Sequence, residues 1–124
     1  MSVLKSMRTT LATDLSVLGV PVYPEYPLRL DPPCVYFTVP IGGPYIATAR
    51  EFGTFVVSLD VVVLVEHRPP DEGREALETL LESLLLNSMD WALLGVEPPA
   101  TQTIEDYTYE FLGTVVHLSK AFHL

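Results

Sequence analysis

A chain of 124 residues fits one domain around a single core, and its 48% apolar and 19% charged composition is globular rather than disordered. Seven Lys and Arg against sixteen Asp and Glu give a net charge of -9, which argues against grip on nucleic-acid phosphates or an anionic membrane surface. The single cysteine, Cys34, excludes an intrachain disulfide and a thiolate metal cluster.

The N-terminus lacks the basic-then-apolar pattern of a signal peptide, and the longest wholly apolar run, Val61 to Val65, is too short to span a bilayer. A soluble product of the cytoplasm is expected. Val3, Leu4, Met7, Leu11, Leu15 and Leu18 recur at helical steps and predict an amphipathic helix, with Gly19 as its left-handed cap and Pro21 as its stop. The proline-rich stretch VPVYPEYPLRLDPP reads as extended and edge-like, because proline brings no ladder donor. CVYFTVP follows as a strand, with Val35, Phe37 and Val39 alternating against Tyr36 and Thr38.

IGGPYIATAREFG is bounded by glycines and suits a long loop or the tip of a β-hairpin. Beyond it, Phe52 to His67 reads as one long strand in which a bulge or bend is expected. Phe55, Val57, Leu59, Val61, Val63 and Val65 share one face of this strand. The other face carries Thr54, Val56, Ser58, Asp60, Val62, Leu64 and Glu66. Asp71 is then a candidate N-cap for a second helix, with Leu77, Leu80, Leu81, Leu84 and Leu85 as its buried stripe and Glu75, Glu78, Thr79 and Glu82 toward water.

WALLGVEPPATQTIED reads as a short strand and a turn. The closing segment is a long strand, with Tyr107, Tyr109, Phe111 and Val115 on one side and Leu112, Val116 and Leu118 on the other. The expected fold is α+β, a mainly antiparallel sheet of four to five strands with two helices on one face, as a single domain over residues 1–124. The uncovered face would hold Val56, Asp60, Val62, Leu64, Val116 and Leu118, which makes these the candidate subunit interface. A sheet curled to cover itself is the alternative.

Chemistry is sparse in this pattern. His67, His117 and His123 lack metal-ligand spacing, and Cys34 reads as a small buried hydrophobe rather than a nucleophile. Asp60 is the most provocative residue, since a buried carboxylate in a strand can serve as acid or base. A simpler role is a hydrogen-bonded or ionic partner, with Lys120 or an arginine of an adjacent copy as the counterpart. IGGP lacks the helix start and lysine of a phosphate loop, while Arg68 and Arg74 around an acidic helix start suit a surface salt link. No catalytic residue, cofactor or metal is assigned.

The order of elements resembles the tail terminator (tail completion) proteins of long-tailed bacteriophages. The resemblance lies in the short helix LKSMRTTLATDL, the proline-rich extended lead-in, the strand CVYFTVP and the long strand GTFVVSLDVVVLVEHR. That strand runs directly into the helix DEGREALETLLESLLL, and DYTYEFLGTVVHLSKAF closes the chain. The resemblance implies a hexameric ring that caps the tail tube, halts its elongation and joins the head connector. Its partners would be further copies of itself, the major tail tube protein and the connector, with DNA passing through unbound. The protein would be in the host cytoplasm during assembly and then in the virion. Segment 41–53, with Gly42, Gly43, Tyr45 and Arg50, is the candidate contact with the tube or a neighbouring copy. The alternatives are another neck or head-completion protein, or a small dimeric ligand-binding domain with Tyr36, Tyr45, Asp60 and Tyr109 around its pocket.

Overall fold

The computed structural model describes residues 2–27, 31–40, 42–66, 72–103 and 110–124. The expected Asp71 cap, together with His67, Arg68, Tyr107 and Tyr109, lies outside the described residues.

Helix α1, Val3–Asp14, opens on Ser2, whose side chain accepts from the Lys5 backbone amide and so satisfies one of the free N–H groups of the first turn. It tightens into a 3-10 turn, Leu15–Leu18, and stops at Gly19 in the left-handed region at φ 75. Helix α2, Glu72–Asn87, carries Glu72 and Glu75 in its first turn, favourable near the positive end of the helix dipole. Seven strands follow the chain: β1 Val22–Tyr23, β2 Cys34–Thr38, β3 Ile46–Thr48, β4 Thr54–Glu66, β5 Ala92–Val96, β6 Ala100–Thr103 and β7 Glu110–His123. The α+β class is as expected; the strand count is higher, because 41–53 holds β3 and the stretch after α2 holds both β5 and β6.

The sheet is a ribbon of two long antiparallel strands, β4 and β7, flanked by short ones. Pairing runs without a break from Thr54↔His123 to Glu66↔Phe111, so the bulge expected in β4 is not there. Along one side of β4 lie β2, against Asp60–Leu64, and β3, against Phe55–Val57. Along the far side of β7 lie β5 and β6. Among the described residues only β1 is parallel to its neighbour, β2.

The register decides which residues form the core. Val61 sits opposite Val116 and Leu59 opposite Leu118, so these β7 residues share the odd-numbered face of β4. That face meets the helices in one cluster with Leu11, Leu15, Leu77, Leu84 and Trp91. Leu77 and Leu84 are fully buried, and Leu80, Leu81 and Leu85 pack beside them, which is the stripe the sequence predicts. Val116 and Leu118 therefore belong to the core and not to the uncovered face, a correction to the expected interface.

The far face holds its own small cluster, Cys34, Val62 and Leu64, flanked by Tyr23, Tyr36 and Val115. Val62 is 5% exposed and Leu64 is not exposed at all, so neither is a bare surface. Tyr23, Tyr36 and Val115 pack against them. Of the expected interface residues, Val56 alone is half-exposed on this face.

Leu64→Ala is expected to cost about 2–5 kcal/mol of folding stability, as for other large-to-small core changes, while Leu94→Ala at an exposed position stays within about 0.5 kcal/mol. Urea unfolding checks both.

Candidate functional site

Asp60 and His117 face each other across the central ribbon, because the β4–β7 register pairs these two positions. Asp60 is 7% exposed, and its Oδ1 stands 2.6 Å from His117 Nδ1. An ionised carboxylate can only accept, so Nδ1 carries the proton and donates it to Asp60. The imidazole is thereby held with Nε2 turned toward Glu97, whose Oε2 lies 3.9 Å away. Lys120, one of the two counterparts considered for Asp60, is paired with Val57 on the helix side of the sheet and stands over the Trp91 ring at 5.9 Å.

Glu97 reaches this face through an irregularity in β5. Ala92 pairs with Ser119, but the register slips between Leu93 and Gly95, so Gly95 pairs with His117 and Glu97 donates its backbone amide to Val115. The slip inverts the side-chain alternation beyond Leu94 and turns Glu97 toward His117 rather than toward the helices.

These groups border a concavity of about 550 Å³ that Tyr26, Tyr36, Thr38, Gly42, Val62 and Val115 complete. Tyr26 and Tyr36 meet edge to face, with ring centroids 5.1 Å apart. Burial raises the Tyr36 phenol above its ordinary value, with Tyr26 and Cys34 beside it adding to the effect. Burial also pushes the Cys34 thiol up to about 11, which keeps it protonated and inert and fits its expected role as a small hydrophobe. Among the described residues no three His, Cys, Asp or Glu side chains gather closely enough to hold a metal. An imidazole oriented by a carboxylate is half of a general-base arrangement. Among the described residues no hydroxyl is hydrogen-bonded to His117 to supply the other half.

The residues of segment 41–53 fall in three different places. Gly42 borders the Asp60 concavity. Tyr45 lies on the helix side, where its hydroxyl accepts from Arg8 Nη1 at 3.3 Å. Arg50 is exposed beside the β3–β4 turn, one residue before Glu51. Next to it Phe52 stands wholly in solvent at 102% relative exposure. Gly53 closes that turn at φ 81, where a Cβ would press on His123 Cε1 at 3.2 Å and strain the backbone. The chain end is tied to the same turn by the Leu124 amide, which donates to the Gly53 carbonyl at 3.0 Å.

Sequence reasoning missed His117, Glu97 and Phe52. A lone acid and a lone histidine, each amid apolar residues in one of two long strands, is the signal that could have joined the first pair. Of the pocket residues expected for ligand binding, Tyr36 and Asp60 come together, Tyr45 lies on the opposite face and Tyr109 lies outside the described residues. No protein-family model matches the chain, and no curated protein matches it.

His117→Ala is expected to cost about 1–3 kcal/mol, since it strands the buried Asp60 carboxylate, Asp60→Ala less, since the His117 ring is about a third exposed, and the double variant less than their sum. A double-mutant cycle in urea measures this. The Cys34 thiol holds its proton more tightly in the folded chain than at the ordinary 9.0, so its contribution to stability is full below 9.0 and is lost as pH rises toward about 11. Unfolding midpoints of the wild type and Cys34→Ala across that window are expected to converge.

Proposed function

We propose that this chain is a structural subunit of the tail terminator kind, a ring that caps a phage tail tube, stops its growth and joins the tail to the head connector. The observation that carries this reading is Phe52. A fully exposed phenylalanine on a glycine-closed turn, at one end of a ribbon more than a dozen residues long, would suit end-on contact with another protein. The order of elements, with a long strand leading toward the second helix, supports the reading further. Net charge -9 suits a passage that DNA crosses without being held. In this reading the protein works in the host cytoplasm and then in the virion, with the tail tube protein, the connector and its own copies as partners and without catalysis. No helix among the described residues is long and apolar enough to cross a membrane.

One observation favours a second reading. The concavity at Asp60, His117 and the paired tyrosines has convergent polar groups, the layout of a small-ligand pocket. In that reading the chain is a binding domain and Phe52 is incidental.

Phe52→Ser separates the two. In an assembly reaction with tail tube protein, wild type is expected to give tubes of limited length, and Phe52→Ser tubes that keep growing, with unchanged folding by circular dichroism. Equal tube lengths with and without wild-type protein would falsify the terminator reading.

A further inference from the structure

We infer that the ring is closed strand to strand, with β5 of one copy adding to the sheet of the next along its β3 edge. This rests on the ring reading above and names the surfaces that would form the ring.

The strand order leaves β5 at one edge of the sheet, while β3 pairs only with β4 on the other side. Proteins usually blunt such edges with charge or proline. Here β5 reads Ala-Leu-Leu-Gly-Val and β3 reads Ile-Ala-Thr, with neither. Leu93, Leu94 and Val96 are 51%, 63% and 39% exposed, and Ile46 is 40% exposed.

Charge selects which edges meet. Asp90 and Glu97 bracket β5. Two copies joined antiparallel β5 to β5 would set Asp90 of one beside Glu97 of the other, a like-charge contact that disfavours a symmetric dimer. The β3 edge instead offers exposed Arg50, for which no partner is found among the described residues. Direction agrees as well. Both β3 and β7 run against β4, and β5 runs against β7, so β3 and β5 are opposed within a subunit. A head-to-tail repeat then brings β5 and the neighbour's β3 together antiparallel. β3 lies level with Phe55–Val57, and β5, through β7, with Ser58–Val61. That offset of about three residues, roughly 10 Å, is a stagger such as tilted strands of a closed sheet have. A heterologous contact of this kind makes rings when its rotation closes.

The test uses two variants of the full chain, Leu93→Glu with Leu94→Glu on β5 and Ile46→Glu with Thr48→Glu on β3. Wild type is expected to sediment as a closed oligomer larger than a dimer, and each variant as a monomer. An equal mixture of the two variants is expected to give a dimer and nothing larger, since each keeps one intact edge. Oxidative cross-linking of Leu94→Cys mixed with Thr48→Cys gives a second readout that needs no disruption of the edges, and the buried Cys34 stays out of it. The mixture is expected to yield a covalent pair that neither variant yields alone. Wild type that is monomeric or dimeric at every concentration, variants that keep the wild-type mass, or mixtures that neither dimerise nor cross-link overturn the proposal. A wild-type ring that survives both variants overturns the edge assignment alone. A wild type that leaves tube length unchanged overturns the ring reading, whatever the mixtures do.

Discussion

The unbroken pairing of β4 with β7 is the constraint on which the rest of the molecule depends. Thirteen residue pairs, from Thr54↔His123 to Glu66↔Phe111, fix which side chains share a face. A slip of one position would move every side chain of a strand to the opposite face. With the register as it is, Leu59, Val61, Val116 and Leu118 meet the two helices in one core, and Asp60 and His117 meet on the other face. The short strands are then added along the outer sides of the ribbon, and the turn that carries Phe52 projects at one end.

The elements themselves could be read from the sequence with fair accuracy. Clean alternation in Phe55 to Val65 identified the core face of β4, and leucines at helical spacing identified the buried stripe of α2. The relation between the two long strands could not be read in the same way. β7 is apolar on both sides, so its alternation does not say which side meets the helices. The pattern alone therefore places Val116 and Leu118 on the wrong face, and it offers Lys120 or an arginine of another copy to Asp60 where the structure offers His117. Glu97 was hidden for a different reason. Its direction depends on a slip within β5 that no pattern in Ala-Leu-Leu-Gly-Val announces, although Gly95 sits at the irregular step.

The polar centre and the apolar periphery divide the molecule's surfaces. Asp60 and His117 satisfy each other at the middle of the ribbon, where an unpaired carboxylate in so apolar a sheet would be costly. The buried cluster of Cys34, Val62 and Leu64 lies beside them on the same face. Besides Val3, Val17, Tyr26, Val39, Leu86, Met89 and Leu124, the exposed apolar side chains lie at β5, at β3 and on the turn that carries Phe52. In the proposed ring these are separate contacts, two to neighbouring copies and one to the tube, so the subunit meets its partners through its edges and one end.

Hydrogen exchange of the free chain against the chain seated on tail-tube ends tests this division most directly. The account predicts that amides of β4 and β7 are the most protected in both states. It predicts protection along β3 and β5 in both states, through the ring, and new protection at the turn carrying Phe52 when the chain is seated. Unprotected β3 and β5 edges in both states, or new protection confined to Tyr36, Asp60, Glu97 and His117 with the turn unchanged, would contradict it.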